Sequence, residues 1–325
     1  MQDGMLALEV RGLTKDYGDF VLKDVSFSLP HGYIMGFIGQ NGAGKSTTIK
    51  CIMNLVHPDS GSIKVFGIDA LRDERKVKQM VGYVGEEQPF YDEFTVSQMA
   101  RFVARFYLHW DEGLFKGLCR KYGISPDKKV KSLSKGTRVK FALSLALAHK
   151  PRLLILDEPM SGLDPVARHE VVQELLDVIQ DENRSVFFSS HIVEDLERVA
   201  DYIGLIHQGT LLFSREKDDI LSNWKRITLP AELAPRLKPY AFHTKGTPES
   251  TRTGHATASL QKAPVTVVVN RFVDLIRDFP EIQRSDGIEV QSLGLEDIML
   301  VVAEKERSGL SLSAGDRCSA PLSSF

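Results

Sequence analysis

The sequence has few cysteines and no apolar run of membrane length. Cys51, Cys119 and Cys318 lie far apart and form no C-x-x-C pair, which argues against a disulfide framework and a zinc site. We therefore expect a protein of a reducing cytoplasm. No stretch approaches the ~18 uncharged apolar residues of a membrane span, and no basic segment followed by an apolar one begins the chain. Any action at a membrane is expected from outside the bilayer.

The chain also lacks a surplus of either charge. Its 41 Lys and Arg and 43 Asp and Glu give a formal net charge of −2, so no global positive field favours nucleic acid or anionic lipid as a partner. No nucleic-acid partner is expected. The 325 residues, 42% hydrophobic and 26% charged, have ordinary globular usage and suffice for one large domain and a smaller one.

One stretch, residues 39–47, meets every position of the phosphate-binding pattern G-x-x-x-x-G-K-[ST]. The apolar run Tyr33–Ile38 precedes it as a buried strand does, and Thr48–Leu55 follows it with helical spacing. Such a strand, glycine-rich turn and helix N-terminus make an anion site, because backbone N–H groups and the helix dipole face the phosphate oxygens. We expect Lys45 to reach the phosphates and Ser46 to bind Mg²⁺. The predicted nucleotide-binding residues are Gly39, Gln40, Asn41, Gly42, Ala43, Gly44, Lys45, Ser46 and Thr47.

Two acids end a hydrophobic strand further along the chain. The apolar run Leu153–Leu156 is followed directly by Asp157 and Glu158. Open α/β sheets bind their ligands at the carboxyl ends of strands. We therefore expect Asp157 to hold Mg²⁺ through its water shell, and Glu158 to orient the water that attacks the γ-phosphate. An Asp-Glu pair alone is more often a solvated turn, but the phosphate loop in the same chain favours the functional interpretation.

The hydrophobic periods predict an α/β fold. Strands at Leu6–Val10 and Val21–Leu29, joined through residues 15–19, put β-rich material ahead of the loop. Later apolar strands alternate with helices, which implies a parallel sheet. Residues from about 90 to 149 have helical spacing, which indicates an inserted helical subdomain.

The texture changes after residue 221. We predict a nucleotide-binding domain over residues 1–221 and a small C-terminal α/β domain over residues 222–307, with strands at Val265–Val269 and Ile288–Val290. Residues 308–325 are rich in serine and have no period, so disorder is expected there.

Further motifs resemble those of the ABC-transporter ATPases. Residues 133–137, about twenty residues before Asp157, resemble the signature loop, and residues 161–164 resemble the D-loop. His191 resembles the switch histidine, and Tyr17 lies where the family places an aromatic ring on adenine. The resemblance covers about residues 6–213, with the motifs in the family's order. It implies a P-loop NTPase core of the ABC type, with ATP and Mg²⁺ as cofactors.

The resemblance also implies roles for single residues. Ser134 and Gly136 are expected to face the γ-phosphate of ATP held by a second subunit, although Ser134 also suits a helix N-cap. Asp164 is implied at the dimer contact of the D-loop, and His191 is implied as a catalytic contact to the γ-phosphate, where a lone histidine at a strand end is more often structural.

Two motifs depart from the family pattern. The signature has Lys135 and Thr137 where the commonest form has other residues, so its match is partial. After residues 81–85 the family most often has glutamine, whereas this chain has Glu86, with Gln88 two residues on. Either Glu86 or Gln88 is a candidate for the metal contact of this Q-loop.

Aromatic residues mark the inserted helices. Phe102, Phe106, Tyr107 and Trp110 have helical spacing and are interpreted as packing residues. Because the family docks a helix of its membrane subunit beside this subdomain, Phe90 and Tyr91 are candidates for that contact.

The resemblance implies an ATP-binding and ATP-hydrolysing subunit of an ABC transporter, on the cytoplasmic face of the cell membrane, that drives an integral-membrane permease. Its active form is expected to be a dimer with a second ABC ATPase protomer, identical or different. Residues 294–299 resemble a motif in the C-terminal extensions of exporter-like, ABC-2-type members. The alternatives are a soluble ABC ATPase acting on nucleic acid or ribosomes, and a sensor that binds ATP with little turnover.

Overall fold

A computed structural model describes residues 5–245, 264–283 and 287–307. These residues form two compact units that divide between Ser214 and Arg215, near the end of the strand Thr210–Glu216, which is described with the first unit. The expected disordered tail, residues 308–325, lies outside the described residues, as does most of the polar segment before the strand at Val265. Within the described ranges, no helix is both long enough and apolar enough to cross a membrane.

The first unit contains two sheets and seven α-helices in its described residues. Its elements are β1 (Leu6–Asp16), β2 (Val21–Pro30), β3 (Ile34–Ile38), α1 (Lys45–Ile52), β4 (Ser60–Val65), β5 (Ile68–Asp69), α2 (Glu74–Met80), β6 (Val81–Val84), α3 (Val96–Ala104), α4 (Glu112–Lys121), α5 (Lys135–Leu147), β7 (Leu153–Leu156), α6 (Pro165–Ile179), β8 (Ser185–Ser190), α7 (Val193–Val199), β9 (Tyr202–His207) and β10 (Thr210–Glu216).

The larger sheet has the strand order β10-β9-β3-β8-β7-β6. Its pairs β9/β3, β3/β8, β8/β7 and β7/β6 are parallel, as the alternation of strands and helices predicts. Strands β3, β7 and β8 are buried along their whole length, as expected for a parallel sheet covered on both faces. Their carboxyl ends therefore lie at one edge, and residues 39–47, Asp157 and His191 follow them there.

The N-terminal sheet has the order β2-β1-β4-β5 and packs on the larger one. Phe27 of β2 joins the two sheets, since its ring lies 5.4 Å from the rings of both Phe37 and Phe187. Strand β1 is longer than predicted: it continues to Asp16, through residues interpreted as a connection. Register shifts between Val10 and Lys15 bend it so that pairing with β2 persists.

Helices α3, α4 and α5 surround a separate apolar cluster that includes Phe115 and Phe141. The packing interpretation of the aromatic series was wrong in part. Helix α3 ends at Ala104, so the later aromatic residues lie in the connection to α4, and Phe106 is 63% exposed. Tyr107 instead stacks on buried His149 at 3.8 Å, and Trp110 packs at the edge of the cluster.

The second unit is a sheet with helices. It consists of α8 (Lys217–Asn223), β11 (Lys225–Leu229), α9 (Ala234–Leu237), β12 (Ala241–Lys245), β13 (Val265–Val269), α10 (Phe272–Asp278), β14 (Glu289–Ser292) and α11 (Leu295–Arg307). The strand order is β12-β13-β11-β14, with antiparallel neighbours. Strand β13 matches its predicted bounds, whereas β11 and β12 were not predicted. The expectation of an α/β fold with a P-loop core and a small α/β appendage is confirmed.

Candidate functional site

The glycine-rich loop lies between β3 and α1 and depends on close backbone packing. A Cβ atom on Gly39 would lie 2.4 Å from the carbonyl oxygen of Ile206, so a side chain there is excluded. Gly44 has φ of +110°, a conformation that side chains disfavour. Helix α1 begins at Lys45, three residues before the predicted start, so Lys45, Ser46 and Thr47 form its first turn. This turn places N–H groups and the positive helix end at the loop.

The Lys45 ammonium is buried and held by three oxygens. It donates to the carbonyl oxygens of Gly39 at 2.7 Å and Gln40 at 3.1 Å. It also forms an ion pair with Glu158 Oε1 at 2.9 Å, and both side chains are less than 10% exposed. The lysine of the loop and the acid after β7 therefore meet directly.

Asp157 contacts the same first turn. Its Oδ1 accepts hydrogen bonds from Ser46 Oγ at 3.0 Å and from Ser189 Oγ at 2.8 Å. Burial raises the pKa of Asp157, while these two hydrogen bonds lower it. Hydroxyl and carboxylate oxygens are the hard ligands that Mg²⁺ prefers, so Ser46 and Asp157 fit a magnesium ion. Among the described residues, no group of three or more His, Cys, Asp and Glu side chains could hold a metal, so phosphate oxygens and water would have to complete its shell.

Glu158 lies beside His191 at the end of β8. Its Oε2 is 2.7 Å from His191 Nδ1 and also accepts the backbone N–H of His191 at 3.3 Å. Glu158 has φ of +48°, in the left-handed region that few side chains adopt. Strain of this kind persists where surrounding contacts hold it, as it often does at functional sites.

Ser189 is the site residue that the sequence interpretation missed. Its hydroxyl donates to Asp157 and accepts the backbone N–H of Glu158 at 2.8 Å. One buried side chain therefore orients both acids. Its position two residues before His191, at the end of a buried strand, was the available signal.

Tyr17 is 49% exposed and follows β1. Its backbone N–H donates to the carbonyl of Phe20 at 2.9 Å. The Phe20 ring is 3.1 Å from where a Cβ on Gly44 would lie. Phe20 thus ties the Tyr17 segment to the loop and leaves the tyrosine ring accessible to a flat ligand.

The signature and D-loop residues lie at helix N-termini. Ser134 caps α5, since its Oγ accepts the N–H of Thr137, and it remains exposed. Asp164 caps α6 by accepting the N–H groups of Val166 and Ala167, both at 3.0 Å. Gly136 packs beside α6, because a Cβ there would lie 3.0 Å from that of Ala167. The two motifs therefore adjoin one another.

Lys135, the residue that departs from the signature pattern, reaches the D-loop. Its Nζ lies 2.5 Å from where a Cβ on Gly162 would be. The substitution is thus accommodated by the glycine of the neighbouring motif.

The two candidates for the Q-loop contact differ in placement. Glu86 is exposed. Gln88 turns its amide back, donating to the carbonyl oxygens of Gly85 at 2.9 Å and Glu86 at 3.3 Å. The metal contact of the Q-loop therefore stays a prediction for both residues.

Comparison with known proteins places the chain in a family. Residues 22–161 match the family model described as ABC transporter. The ABC transporter ATP-binding protein YtrB of Bacillus subtilis is 34% identical over 223 residues, which cover 68% of this chain and 76% of YtrB. The lantibiotic transport ATP-binding protein SrtF of Streptococcus pyogenes is 35% identical over 215 residues, covering 65% and 91% of the two chains.

A solved structure agrees with these sequence relatives. An ATP-binding subunit of an ABC transporter, 30% identical, superimposes with a TM-score of 0.61 over 66% of this chain and 92% of that one. With the loop, the paired acids and the histidine at one sheet edge, these likenesses are decisive. The chain belongs to the ATP-binding subunits of ABC transporters, of the exporter-like, ABC-2 type, and is an ATPase that drives transport.

Proposed function

We propose that this chain forms one half of an ATP-driven clamp. In this clamp, Mg²⁺ and ATP bind at residues 39–47, and Ser134 and Gly136 of a second protomer complete the site. Closure of the dimer and its release after hydrolysis shift the conformation of an integral-membrane permease. The observation that carries the proposal is the buried contact of Lys45 with Glu158, and of Glu158 with His191, beside the loop.

Each residue of this chain of contacts has a definite task in hydrolysis. The Glu158 carboxylate accepts a proton from the attacking water, and His191 fixes its orientation through the 2.7 Å contact. When ATP binds, the Lys45 ammonium leaves its oxygen partners in the protein and contacts oxygens of the β- and γ-phosphates. Glu158 is then free to contact water. Mg²⁺, held by Ser46 and Asp157, would neutralise phosphate charge. This arrangement supports real turnover rather than a sensor that only binds ATP.

The permease contact is proposed at exposed aromatic residues of the helical subdomain. Phe90 packs on Phe141 at 5.1 Å and is half-buried, so it contributes little. Tyr91 is 56% exposed and its ring lies 5.3 Å from that of Phe102, which in turn contacts exposed Phe106. A patch of this kind marks an interaction site. Replacing Tyr91 and Phe106 by aspartate should abolish co-purification with the permease without lowering ATP binding.

The place of action follows from the permease. We propose a peripheral location on the cytoplasmic face of the cell membrane. SrtF is named for lantibiotic transport, so antibiotic peptides are a reasonable first class of substrates to test for export.

A mixing experiment tests the composite site. Glu158→Gln removes the catalytic carboxylate but keeps ATP binding, and Ser134→Arg blocks the signature, so each variant alone should be inactive. In a mixed dimer, the loop and Glu158 of the Ser134→Arg protomer meet the intact signature of the Glu158→Gln protomer, which still holds ATP. ATPase activity should therefore reappear on mixing, at up to about a quarter of the wild-type rate if the protomers exchange freely. If two folded, inactive variants stay inactive when mixed, the site is not shared between copies of this chain.

A further inference from the structure

Arg138 connects the helix that follows the signature to the segment between β6 and α3. It lies one turn into α5, and its backbone N–H donates to the carbonyl of Ser134 at 2.8 Å. Its guanidinium donates to the carbonyl oxygen of Gln88 at 3.0 Å and to Asp92 Oδ1 at 2.9 Å. It also lies 5.4 Å from the centre of the Phe90 ring. One side chain therefore holds three points of a five-residue segment.

The held segment continues to the catalytic edge of the sheet. The Gln88 amide donates to the carbonyl of Gly85, just after β6. The preceding residue, Val84, accepts the backbone N–H of Asp157 at 2.8 Å. Hydrogen bonds thus run from the first turn of α5, through Arg138 and Gln88, to the strand beside the acid expected to hold Mg²⁺.

The chemistry of arginine suits this role. A guanidinium is planar, always charged, and can bind a carbonyl and a carboxylate while it stacks on a ring. Both hydrogen bonds come from one nitrogen, Nη2, so a lysine ammonium could keep part of them, but it has no planar group to lie over the Phe90 ring. Arg138 is also largely shielded, with 24% of its side chain exposed, which makes its contacts less sensitive to screening than those of fully exposed pairs.

Neighbouring ion pairs do not have this reach. Lys129 and Lys131 both pair with Glu93, at 2.8 and 2.6 Å, and both lysine side chains are more than half exposed. They join the stretch before the signature to Glu93, next to the segment that Arg138 holds, and their ion pairs involve neither Gln88 nor the first turn of α5. Lys131 is therefore a matched control for Arg138.

We propose that Arg138 is a positioning residue. Through it, the position of the signature residues depends on whether the ATP site of the same subunit is occupied. ATP bound at residues 39–47 shifts the segment after β6, and Arg138 carries this shift to Ser134. The signature is then correctly placed for the second protomer only when its own subunit holds ATP. This inference rests on the proposed composite site and adds a residue through which its two copies communicate.

Steady-state ATPase kinetics of the full chain test this proposal. Because Arg138 contacts no residue of the loop, Arg138→Ala should leave KM for ATP within about twofold while kcat falls about tenfold. The dependence of rate on ATP should also lose its cooperativity, with the Hill coefficient falling to about 1. Lys131→Ala should match the wild type, and Arg138→Lys should recover part of kcat.

Hydrogen exchange supplies a second readout that does not depend on turnover. In the wild type, ATP should slow exchange in the loop, in residues 85–92 and in the first turn of α5. In Arg138→Ala the loop should still be protected, while the first turn of α5 should not respond. The same response in Arg138→Ala and Lys131→Ala, or equal kcat in both, overturns the proposal. If the mixing experiment fails while hydrogen exchange responds as expected, the result contradicts the shared site. It leaves the link from the ATP loop through Arg138 to the first turn of α5 intact.

Discussion

Two buried glutamates in the first unit have nearly the same partners and different tasks. Glu158 is 9% exposed and pairs with Lys45 at 2.9 Å. Glu174, in the middle of α6, is 4% exposed and pairs with Lys121 at 2.7 Å. Each also has a second partner, which bears a ring. This partner is His191 for Glu158 and the Tyr122 hydroxyl for Glu174.

The two glutamates differ in their surroundings. Glu158 follows a parallel strand, has a strained backbone and pairs with the lysine that begins α1, directly after a glycine-rich loop. Glu174 lies inside a regular helix and joins α6 to the end of α4. A buried carboxylate with a lysine is therefore not itself a catalytic site. Such a carboxylate becomes part of a catalytic site only where a ligand-binding site lies beside it.

The largest expected effect is on hydrolysis. Glu158→Gln should lower kcat by about a thousandfold, because the amide cannot accept the proton of water. ATP should still bind, since Lys45 and the loop remain, and a closed dimer should accumulate. Rapid-quench hydrolysis and equilibrium ATP binding measure both expectations. A near-normal rate in this variant would place the catalytic base elsewhere and erase the difference between the two glutamates.

Glu174→Gln should instead affect stability. Lys121 keeps Asp177 as a partner at 2.8 Å, so loss of the charged hydrogen bonds should lower the free energy of unfolding by about 2 kcal/mol. The ATPase rate per folded molecule should stay within about twofold of the wild type. Urea denaturation and ATPase assays on the same preparation check this. A large fall in kcat without unfolding would show that the α4–α6 contact takes part in catalysis.

Two tyrosines extend the comparison between the ATP site and the α4–α6 contact, with smaller expected effects. Tyr122 bonds Glu174, and burial followed by this contact raises its pKa, so Tyr122→Phe should cost about 1 kcal/mol of stability and leave KM for ATP unchanged. Tyr17→Ala should raise KM for ATP about fivefold and leave stability unchanged, because it removes only stacking on adenine. Thermal melts and ATP titrations of both variants test the pair. A raised KM in Tyr122→Phe and a loss of stability in Tyr17→Ala would contradict both assignments.

The smallest effect concerns Asp157. Its pKa is raised by burial, so the folded state binds the proton more tightly than the unfolded state and ionisation costs stability. The cost is present above the folded pKa and disappears as the pH falls below the unfolded value of about 3.9. Asp157→Asn should therefore raise the melting temperature of the nucleotide-free protein by about 2 °C at pH 7. The gain should shrink as the pH falls and vanish below the unfolded value of about 3.9. This variant is also expected to lose hydrolysis.

Cys51 and Cys119 are buried and unpaired, and burial raises the pKa of each to about 11. Both are therefore poor nucleophiles at neutral pH.

Contiguous motifs were readable from the sequence because they carry their own geometry. The phosphate loop is built from the N–H groups of neighbouring residues, and its strand and helix are specified by local hydrophobic period. The acids after β7 were found for the same reason: a strand's last residues must lie at the sheet edge. The bends in β1 and the exposure of Phe106 were not readable, since both depend on how distant segments pack.

The sequence by itself thus determined the family, the ATP chemistry and the order of the motifs. Only the tertiary structure decided that Ser189 orients both acids, that Glu174 pairs with Lys121, that Gln88 donates to the carbonyl of Gly85, and that Arg138 holds Gln88 and Asp92. The physical reason is sequence separation. A side-chain contact between residues tens of positions apart depends on strand register and helix packing, and neither is encoded in any local pattern.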